Sequence, residues 1–407
     1  MKCRHCGVPL QHTFLDLGSA PPSNAYLTAS QLSAPERYYP LKVKVCTNCW
    51  LVQTLDYSNA DELFSSDYAY FSSTSESWLA HSTTFAETIT RRLGLTRDSF
   101  VVEVASNDGY LLKNFVAAGV PCLGIEPTAS TASAAEKLGI PVLREFFGET
   151  LARRLSLDKR QADLIVGNNV LAHVPEINDF VRGLRTLLKP GGTISLEFPH
   201  VMRLIEHTQF DTAYHEHYSY LSLYTVSRIF GTFDLRIFDV DELPTHGGSL
   251  RVYACHAADP RGDDKKIATL LGAEERAGLR RLDAYTGLQK RADSVKDGLL
   301  SFLIEQKHAG RTVAGYGAAA KGNTLLNYGG VKPDLLPYVC DAATAKQGKF
   351  LPGSHIPILP PSAIREHKPE LVLILPWNIA DEVMRQHEYI KEWDGRFVIA
   401  VPKIRIL

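Results

Sequence analysis

The chain has 407 residues, which is enough for two or three domains with hydrophobic cores of their own. Its 44 lysines and arginines balance 45 acidic residues, so it has no global basic field for holding nucleic acid. It begins without an apolar signal region and contains no apolar run of membrane-spanning length. We therefore expect a cytoplasmic monomer with neither nucleic-acid nor membrane partners.

Two Cys-x-x-Cys pairs mark the N-terminal part. Cys3 and Cys6 form the first pair, and Cys46 and Cys49 follow after a gap of 39 residues. Each short spacing lets two thiolates reach one ion, and together the pairs complete a tetrahedral shell. Two disulfides are disfavoured by a reducing compartment, and a redox pair is disfavoured by the matched spacing. The pattern predicts a structural zinc ion in a β-rich module with a strand over residues 41–45.

An α/β pattern follows a helix predicted over residues 75–93. The apolar run 101–104 is typical of a strand, and it leads through residues 105–109 into a helix predicted over 110–118. Such a strand, turn and helix present backbone N–H groups and a positive helix end to a ligand. A second strand over 122–125 ends at Glu126, where a carboxylate can accept hydrogen bonds from both hydroxyls of a ribose.

Two further strands, 163–167 and 193–198, complete this pattern. A helix stop and turn is predicted at residues 189–192. The turn at 105–109 lacks the glycines of a dinucleotide motif, but the ordered set resembles a class I methyltransferase that binds S-adenosylmethionine (SAM). A purely structural βαβ array is the alternative. The residues that the resemblance implies at the cofactor are Glu103, Ser106, Asn107, Asp108, Gly109, Glu126, Pro127, Asn168 and Asn169.

The last third of the chain contains a second α/β pattern. An antiparallel pair over 234–240 and 249–254 ends the first pattern, and a charged helical stretch over 265–308 bridges to the second. A strand over 312–317 and a helix over 318–326 then carry Gly315, Gly317 and Lys321. These residues either cradle a phosphate through amides and one positive charge or belong to a packing domain.

The densest group of chemically active side chains is residues 214–220, which contain two imidazoles, a carboxylate and three phenols. This composition suits proton abstraction next to a carbonyl, because an imidazole can take the carbon-bound proton and a phenol can stabilise the enolate oxygen. Methylation of oxygen or nitrogen needs only one base, so the cluster favours methylation of carbon. Two neighbouring His and a Glu do not converge on a metal as helical i, i+4 ligands do.

Three single residues are further candidates. His173 follows a predicted strand and either faces the methyl-transfer site or begins a helix. Tyr68 lies in a polar aromatic loop that either closes over substrate or packs between domains. His200, just past the strand 193–198, either reaches the sugar nucleotide or occupies a simple turn.

With these residues in hand, the chain resembles the sugar C-methyltransferases that act on nucleotide-activated keto-deoxysugars. The motifs that carry the resemblance are Cys-x-x-Cys-Gly and Cys-x-x-Cys, Glu-x-x-Ser-Asn-Asp-Gly at 103–109, Asn-Asn-Val-Leu-Ala-His at 168–173, Tyr-His-Glu-His at 214–217 and Gly-Tyr-Gly-Ala-x-Ala-Lys-Gly at 315–322. The resemblance implies an α/β protein with a zinc-binding domain (1–66), a SAM-binding Rossmann-like domain (67–260) and a C-terminal helical bridge with a second Rossmann-like domain (261–407).

The resemblance also implies the reaction, which is SAM-dependent methylation at C3 of a dTDP-4-keto-6-deoxysugar. It carries catalysis onto Tyr214, Glu216 and His217, with Tyr68 and His173 near the sugar. We expect His217 to be the base, with His215 as its rival, and His200 and Lys321 to contact the substrate. An O- or N-methyltransferase and a non-enzymatic zinc-knuckle interaction protein are the alternatives.

Overall fold

A computed structural model describes residues 1–55 and 71–407. Its strands in chain order are β1 (His12–Ala20), β2 (Tyr39–Val45), β3 (Val52–Thr54), β4 (Val101–Val104), β5 (Cys122–Ile125), β6 (Val142–Leu143), β7 (Ala162–Asn168), β8 (Leu188–Pro199), β9 (Ser219–Tyr220), β10 (Leu235–Leu243), β11 (Ser249–His256), β12 (Val313–Tyr316), β13 (Val339–Cys340), β14 (Ile358–Leu359), β15 (Leu371–Ile374), β16 (Arg396–Ile399) and β17 (Arg405–Ile406). Its α-helices are Glu76–Leu93, Leu112–Ala117, Ala129–Lys137, Glu149–Leu157, Ile177–Leu187, Val201–Glu206, Leu223–Gly231, Lys265–Arg276, Leu288–His308, Ala320–Gly329, Ser362–His367 and Ala380–Gln386.

The N-terminal sheet is antiparallel, in the order β1-β2-β3-β9. Its last strand comes from the middle of the chain, since Val52 pairs with Tyr220 and Gln53 with Ser219. The backbone N–H of Thr54 also donates to the carbonyl of Tyr218. The zinc module is therefore joined directly to the stretch 214–220.

The middle sheet has the order β10-β11-β8-β7-β4-β5-β6. Strands β4 to β8 run parallel to one another, whereas β11 pairs antiparallel with both β8 and β10. Strand β4 is buried along its whole length, because helices cover both faces of the sheet. The carboxyl ends of β4, β5 and β7 meet at one edge, which is where open α/β sheets bind ligands.

The C-terminal sheet has the order β14-β13-β12-β15-β16-β17, and only its last pair is antiparallel. This order matches that of the middle sheet, because β14, β13, β12, β15 and β16 occupy the places of β6, β5, β4, β7 and β8. The helix Leu288–His308 precedes β12 and packs on the helix Ala320–Gly329. The charged stretch 265–308 is thus two helices, Lys265–Arg276 and Leu288–His308.

Most predicted elements are confirmed, and two differ from their predictions in detail. The helix predicted over 110–118 is shorter, Leu112–Ala117. The turn predicted at 189–192 is a bulge within β8, because Ala162 pairs with Leu188 and Leu164 with Thr193, which leaves the residues between them out of register. No helix within the described ranges is long and apolar enough to span a membrane.

Candidate active site and zinc centre

The two Cys-x-x-Cys pairs bring four sulfur atoms together, all within 4.8 Å of one another. The Sγ atoms of Cys3 and Cys49 are 3.5 Å apart, as are those of Cys6 and Cys46. Zn–S bonds of about 2.3 Å place tetrahedral sulfurs roughly 3.8 Å apart, so the cluster has the size that zinc requires. Four sulfur ligands leave no position for a substrate, which makes the site structural.

The two zinc knuckles share one backbone geometry. In each, the first cysteine accepts a hydrogen bond at its carbonyl from the residue four positions later, Gly7 and Trp50 respectively. Both of those residues have a left-handed φ, 74° and 61°. The side chain of Gln53 then donates to Cys3 Sγ at 3.2 Å, while Thr54 Oγ1 donates to the carbonyl of His217 at 2.6 Å. The zinc centre is thereby connected through β3 to His217.

The edge of the middle sheet at β4 has a tight turn. Ala105 and Asn107 have left-handed φ angles of 58° and 49°, and the helix that follows the turn begins at Leu112. Glu126 lies at the end of β5 and accepts hydrogen bonds from the backbone amides of Asn107 and Thr128, both at 2.9 Å. Pro127 lies between Glu126 and Thr128. The two hydrogen bonds of Glu126 hold the turn after β4 and the end of β5 in one arrangement.

Several polar atoms at this edge are buried without a hydrogen-bond partner in the described parts of the chain. They are Ser106 Oγ, Asp108 Oδ1, Asn168 Oδ1 and Asn169 Oδ1. Burial raises the pKa of Glu103, at the centre of β4, well above its usual value. Buried polar groups normally find partners, and a cofactor with amino, carboxylate and hydroxyl groups would supply them here. These side chains therefore fit SAM.

A second cluster lies beside this edge, where His173, Tyr214 and His217 meet. The ring centroids of His173 and His217 are 4.6 Å apart, and those of Tyr214 and His217 are 3.9 Å apart. Burial lowers the pKa of His173 to about 4. Burial, and then His173, lower the pKa of His217 well below its usual value. Both imidazoles are therefore neutral near pH 7.

The hydrogen bond of His217 fixes its tautomer. Its Nδ1 lies 2.8 Å from the carbonyl oxygen of Thr212, which can only accept, so Nδ1 carries the proton. The lone pair of the neutral ring is therefore on Nε2. A neutral imidazole held in this way has the form of a general base.

The two residues that precede His217, His215 and Glu216, both contact the N-terminal module. His215 Nε2 lies 3.2 Å from the carbonyl of Tyr39 in β2, so His215 belongs to the contact with the zinc module. Glu216 is buried, and both of its carboxylate oxygens accept from Asn24 Nδ2 at 2.8 Å. Tyr68 lies outside the described residues.

Lys321 is directed toward the middle domain. Its Nζ lies 2.6 Å from Asn378 Oδ1 and 4.5 Å from the centroid of the Trp377 ring. The expected phosphate cradle beside it is absent from Gly315 and Gly317, because their amides donate to the carbonyls of Tyr338 and Cys340 in the sheet. The alternative of a packing turn is therefore correct for these two glycines.

His200, expected either to contact the substrate or to occupy a simple turn, lies beside Glu274. His200 is 1% exposed, and its Nε2 lies 2.8 Å from Glu274 Oε1. The same carboxylate accepts hydrogen bonds from the backbone amides of Leu223 and Tyr224. His200 is thus held in a buried structural contact at the start of the helix Leu223–Gly231.

Sequence reasoning left His246 out of the site. Its φ of 53° is left-handed, and its Nε2 lies 2.9 Å from Asn169 Nδ2 at the cofactor edge. Its ring centroid is 5.2 Å from that of Trp78. Burial, and then the charge of Lys321, lower the pKa of His246 to about 4. A histidine between Thr245 and two glycines in a hairpin turn was the available signal.

Known proteins match the whole chain. Family models match in three parts: a zinc binding domain at residues 3–64, a methyltransferase domain at 78–240 and a C-methyltransferase C-terminal domain at 244–402. The C-methyltransferase NovU of Streptomyces niveus is 32% identical over 406 residues, which cover 100% of this chain and 96% of that protein. The chain belongs to the C-methyltransferase family.

Solved methyltransferase structures match a part of the chain. A SAM-dependent methyltransferase from Anabaena variabilis is 15% identical and covers 43% of this chain and 84% of its own, with a TM-score of 0.36. The CcbJ methyltransferase from Streptomyces caelestis is 14% identical and covers 44% of this chain and 90% of its own, with a TM-score of 0.35.

The family, the zinc cluster and the buried polar edge agree on one biochemical class. The chain is a SAM-dependent C-methyltransferase with a zinc-binding N-terminal domain and a Rossmann-like SAM-binding fold. The non-enzymatic alternative is thereby excluded.

Proposed function

We propose that the enzyme methylates C3 of a dTDP-4-keto-6-deoxysugar through an enolate. The observation that carries this proposal is the neutral His217 ring, with its proton on Nδ1 and its lone pair on Nε2, packed between His173 and Tyr214. A carbon acceptor needs such a base, because it has no lone pair of its own before its proton is removed. The C4 ketone makes that proton acidic enough to remove.

In the proposed reaction, His217 Nε2 takes the proton from C3. The electron pair of the C–H bond moves to give a C3–C4 double bond, and the C4 oxygen becomes negative. The phenol of Tyr214 donates a hydrogen bond to that oxygen. When bound, SAM supplies the electrophilic methyl group that the enolate carbon accepts. The proton on His217 then leaves to solvent.

Glu216 and His173 support this step in the proposal. Glu216 is fixed by Asn24 of the zinc module, so it orients the loop that carries Tyr214 and His217. His173 packs edge-on against His217 at 73° and holds the ring in place beside the sugar. The resemblance of the sequence adds Tyr68 as a further sugar contact.

We propose that SAM binds at the edge of the middle sheet where buried polar atoms lack partners in the described parts of the chain. Glu126 takes the ribose, and the turn after β4 takes the amino acid part. The residues of the proposed SAM site are Glu103, Ser106, Asn107, Asp108, Gly109, Glu126, Pro127, Asn168 and Asn169. The dTDP part of the substrate extends into the cleft between the middle and C-terminal units. A crystal grown with S-adenosylhomocysteine and dTDP tests this placement, which density for dTDP elsewhere would contradict.

The domain limits that we propose are 1–66, 67–260 and 261–407, and the proposed location is the cytoplasm. The location is supported by the four cysteines of the zinc cluster, because zinc binds reduced cysteines and a reducing compartment keeps them so.

The mechanism is tested by hydrogen exchange in the absence of SAM. The enzyme is incubated in D2O with dTDP-4-keto-6-deoxyglucose, and deuterium in the sugar is located by NMR. We expect exchange at C3. A C4 ketone acidifies C5–H as well, so exchange confined to C5 would correct the position but retain the mechanism. Exchange at neither carbon would contradict it.

Methylation of an oxygen or nitrogen on the same sugar is the second candidate function. The product distinguishes the two, because a new methyl singlet that correlates with a quaternary sugar carbon requires C-methylation. An O-methyl or N-methyl signal would show that the base cluster does not form a carbon nucleophile.

A further inference from the structure

A lysine from the C-terminal unit lies against the proposed catalytic loop. Lys321 is in the first turn of the helix Ala320–Gly329, and its Nζ is hydrogen-bonded to the neutral side chain of Asn378. Burial lowers the pKa of Lys321 to about 8, while the carboxylate of Asp211 acts in the opposite direction. The Oδ2 atom of Asp211 already accepts from Trp377 Nε1 at 2.7 Å. Lys321 is therefore a partly buried cation anchored by an amide.

The packing of this helix fixes where the charge lies. Thr324, one turn after Lys321, donates from Oγ1 to the carbonyl of Ala213 at 2.9 Å. That carbonyl is next to Thr212, whose own carbonyl holds His217. The charge of Lys321 contributes to lowering the pKa of both His217 and His246. The ammonium group is thus close enough to act electrostatically on both imidazoles.

Trp377 lies between Lys321 and the turn that carries His246. The turn that carries His246 continues into Gly247, where a built methyl group would overlap the Trp377 ring. Trp377 therefore contacts the turn of His246 on one side and lies under the Lys321 ammonium on the other. A preorganised cation in such a partly buried site strengthens electrostatic interactions with a developing negative charge.

We propose that the Lys321 ammonium contacts the C4 oxygen of the keto sugar and stabilises the negative charge that forms there. The inference rests on the proposed function and assigns a catalytic residue to the C-terminal unit. The C3 proton moves to His217, the electron pair moves to the C4 oxygen, and Lys321 keeps its own proton. A lysine that bound only the diphosphate would change the affinity for the sugar nucleotide and leave enolate formation alone.

The test uses the SAM-free exchange of deuterium into dTDP-4-keto-6-deoxyglucose at saturating sugar. Lys321→Met keeps the length of the side chain and removes the charge, and we expect exchange to slow roughly 10²-fold, as for the loss of one oxyanion donor. Lys321→Arg should recover part of the rate. SAM affinity and the melting temperature should stay near those of the wild type. Lys307→Met is the control, because Lys307 pairs with Asp334 on the surface of the same unit.

The outcomes separate two failures. If the wild type exchanges and Lys321→Met exchanges equally fast at saturation, with a raised half-saturation concentration, Lys321 binds the diphosphate and this inference is wrong. If the wild type does not exchange, the proposed function fails first. Asn378→Ala keeps the lysine but removes its 2.6 Å anchor, so a several-fold slower exchange supports the inference even if Lys321→Met folds poorly.

Discussion

The middle and C-terminal sheets of this enzyme share their strand order and turn geometry, but they differ in what lies beside the carboxyl ends of their strands. Each first strand ends in a turn with a left-handed glycine, Gly109 at φ 80° and Gly317 at φ 87°. Each second strand ends in an acid that accepts a turn amide, Glu126 from Asn107 and Asp341 from Ala318. The equivalence extends to the next bond, since each acid also accepts the amide two residues further on.

The difference lies in what occupies the space beyond the acid. In the middle sheet, Asp108 and Asn168 keep buried polar atoms without partners in the described ranges. In the C-terminal sheet, Lys346 Nζ binds the carbonyl of Ala318 at 2.9 Å, and Tyr26 donates to the same carbonyl at 2.6 Å. The C-terminal cradle is thus filled by the protein itself. The proposed SAM site therefore has, as its counterpart in the C-terminal sheet, an interface with the zinc module.

The largest expected effect tests whether the chemistry belongs to the middle sheet. His217→Asn should lower kcat by roughly 10²–10⁴-fold, because it removes the general base. SAM affinity should stay nearly unchanged. His215→Asn is the matched control and should keep most of the activity, since His215 contacts Tyr39 instead. Steady-state kinetics and SAM titration measure both, and the reverse order of effects would make His215 the base.

The sequence predicted the features that depend on local patterns, and it did not predict contacts between distant parts of the chain. The strands, the hairpin of β10 and β11 and the zinc ligands follow from local patterns. The pairing of β3 with β9 was not predicted, because no local pattern links Gln53 to Ser219. The filling of the C-terminal cradle was left open for the same reason, since Tyr26 and Ala318 are 292 positions apart. The contact of His200 with Glu274 was not predicted, because the two residues are 74 positions apart and no motif links them.

A second test concerns a buried charge. Strand β8 carries the buried Glu197, whereas the corresponding strand β16 buries the apolar residues Phe397 and Val398. Burial alone would raise the pKa of Glu197, but His81 and Arg251 outweigh it and lower that pKa to about 2. Glu197→Gln should therefore cost on the order of 3 kcal/mol of unfolding free energy at pH 7.

The pH dependence checks the sign of this effect. A carboxyl with a lowered pKa stabilises the fold above its unfolded pKa of about 4.3, and the benefit is lost as pH falls toward 2. In urea denaturation, the difference between wild type and Glu197→Gln should be full at pH 6 and shrink below about pH 4.5. A difference that does not change with pH would mean that the ionised carboxylate contributes nothing.

The two equivalent acids provide a direct contrast. Glu126→Gln should weaken SAM binding by about 1.5–3 kcal/mol, because it removes a charged acceptor from the cofactor edge. Asp341→Asn should leave SAM affinity unchanged and lower the unfolding free energy by about 2 kcal/mol, because Lys346 loses its charged partner. Calorimetric SAM titration and thermal unfolding of both variants decide the point. Weaker SAM binding in Asp341→Asn would mean that the C-terminal cradle still serves a ligand.

The smallest expected effect comes from the two turn glycines. Alanine in a left-handed conformation costs about 1–2 kcal/mol, and this cost should be similar for Gly109→Ala and Gly317→Ala. A methyl group at Gly109 would overlap the side chain of Ile140, and one at Gly317 would overlap Pro376, so both turns must also shift slightly. Only the shift at Gly109 moves amides next to the proposed SAM site. Equal losses of stability with weaker SAM binding in Gly109→Ala alone would separate the shared architecture from the function that one sheet has kept, whereas equal SAM affinities would remove the turn after β4 from the cofactor site.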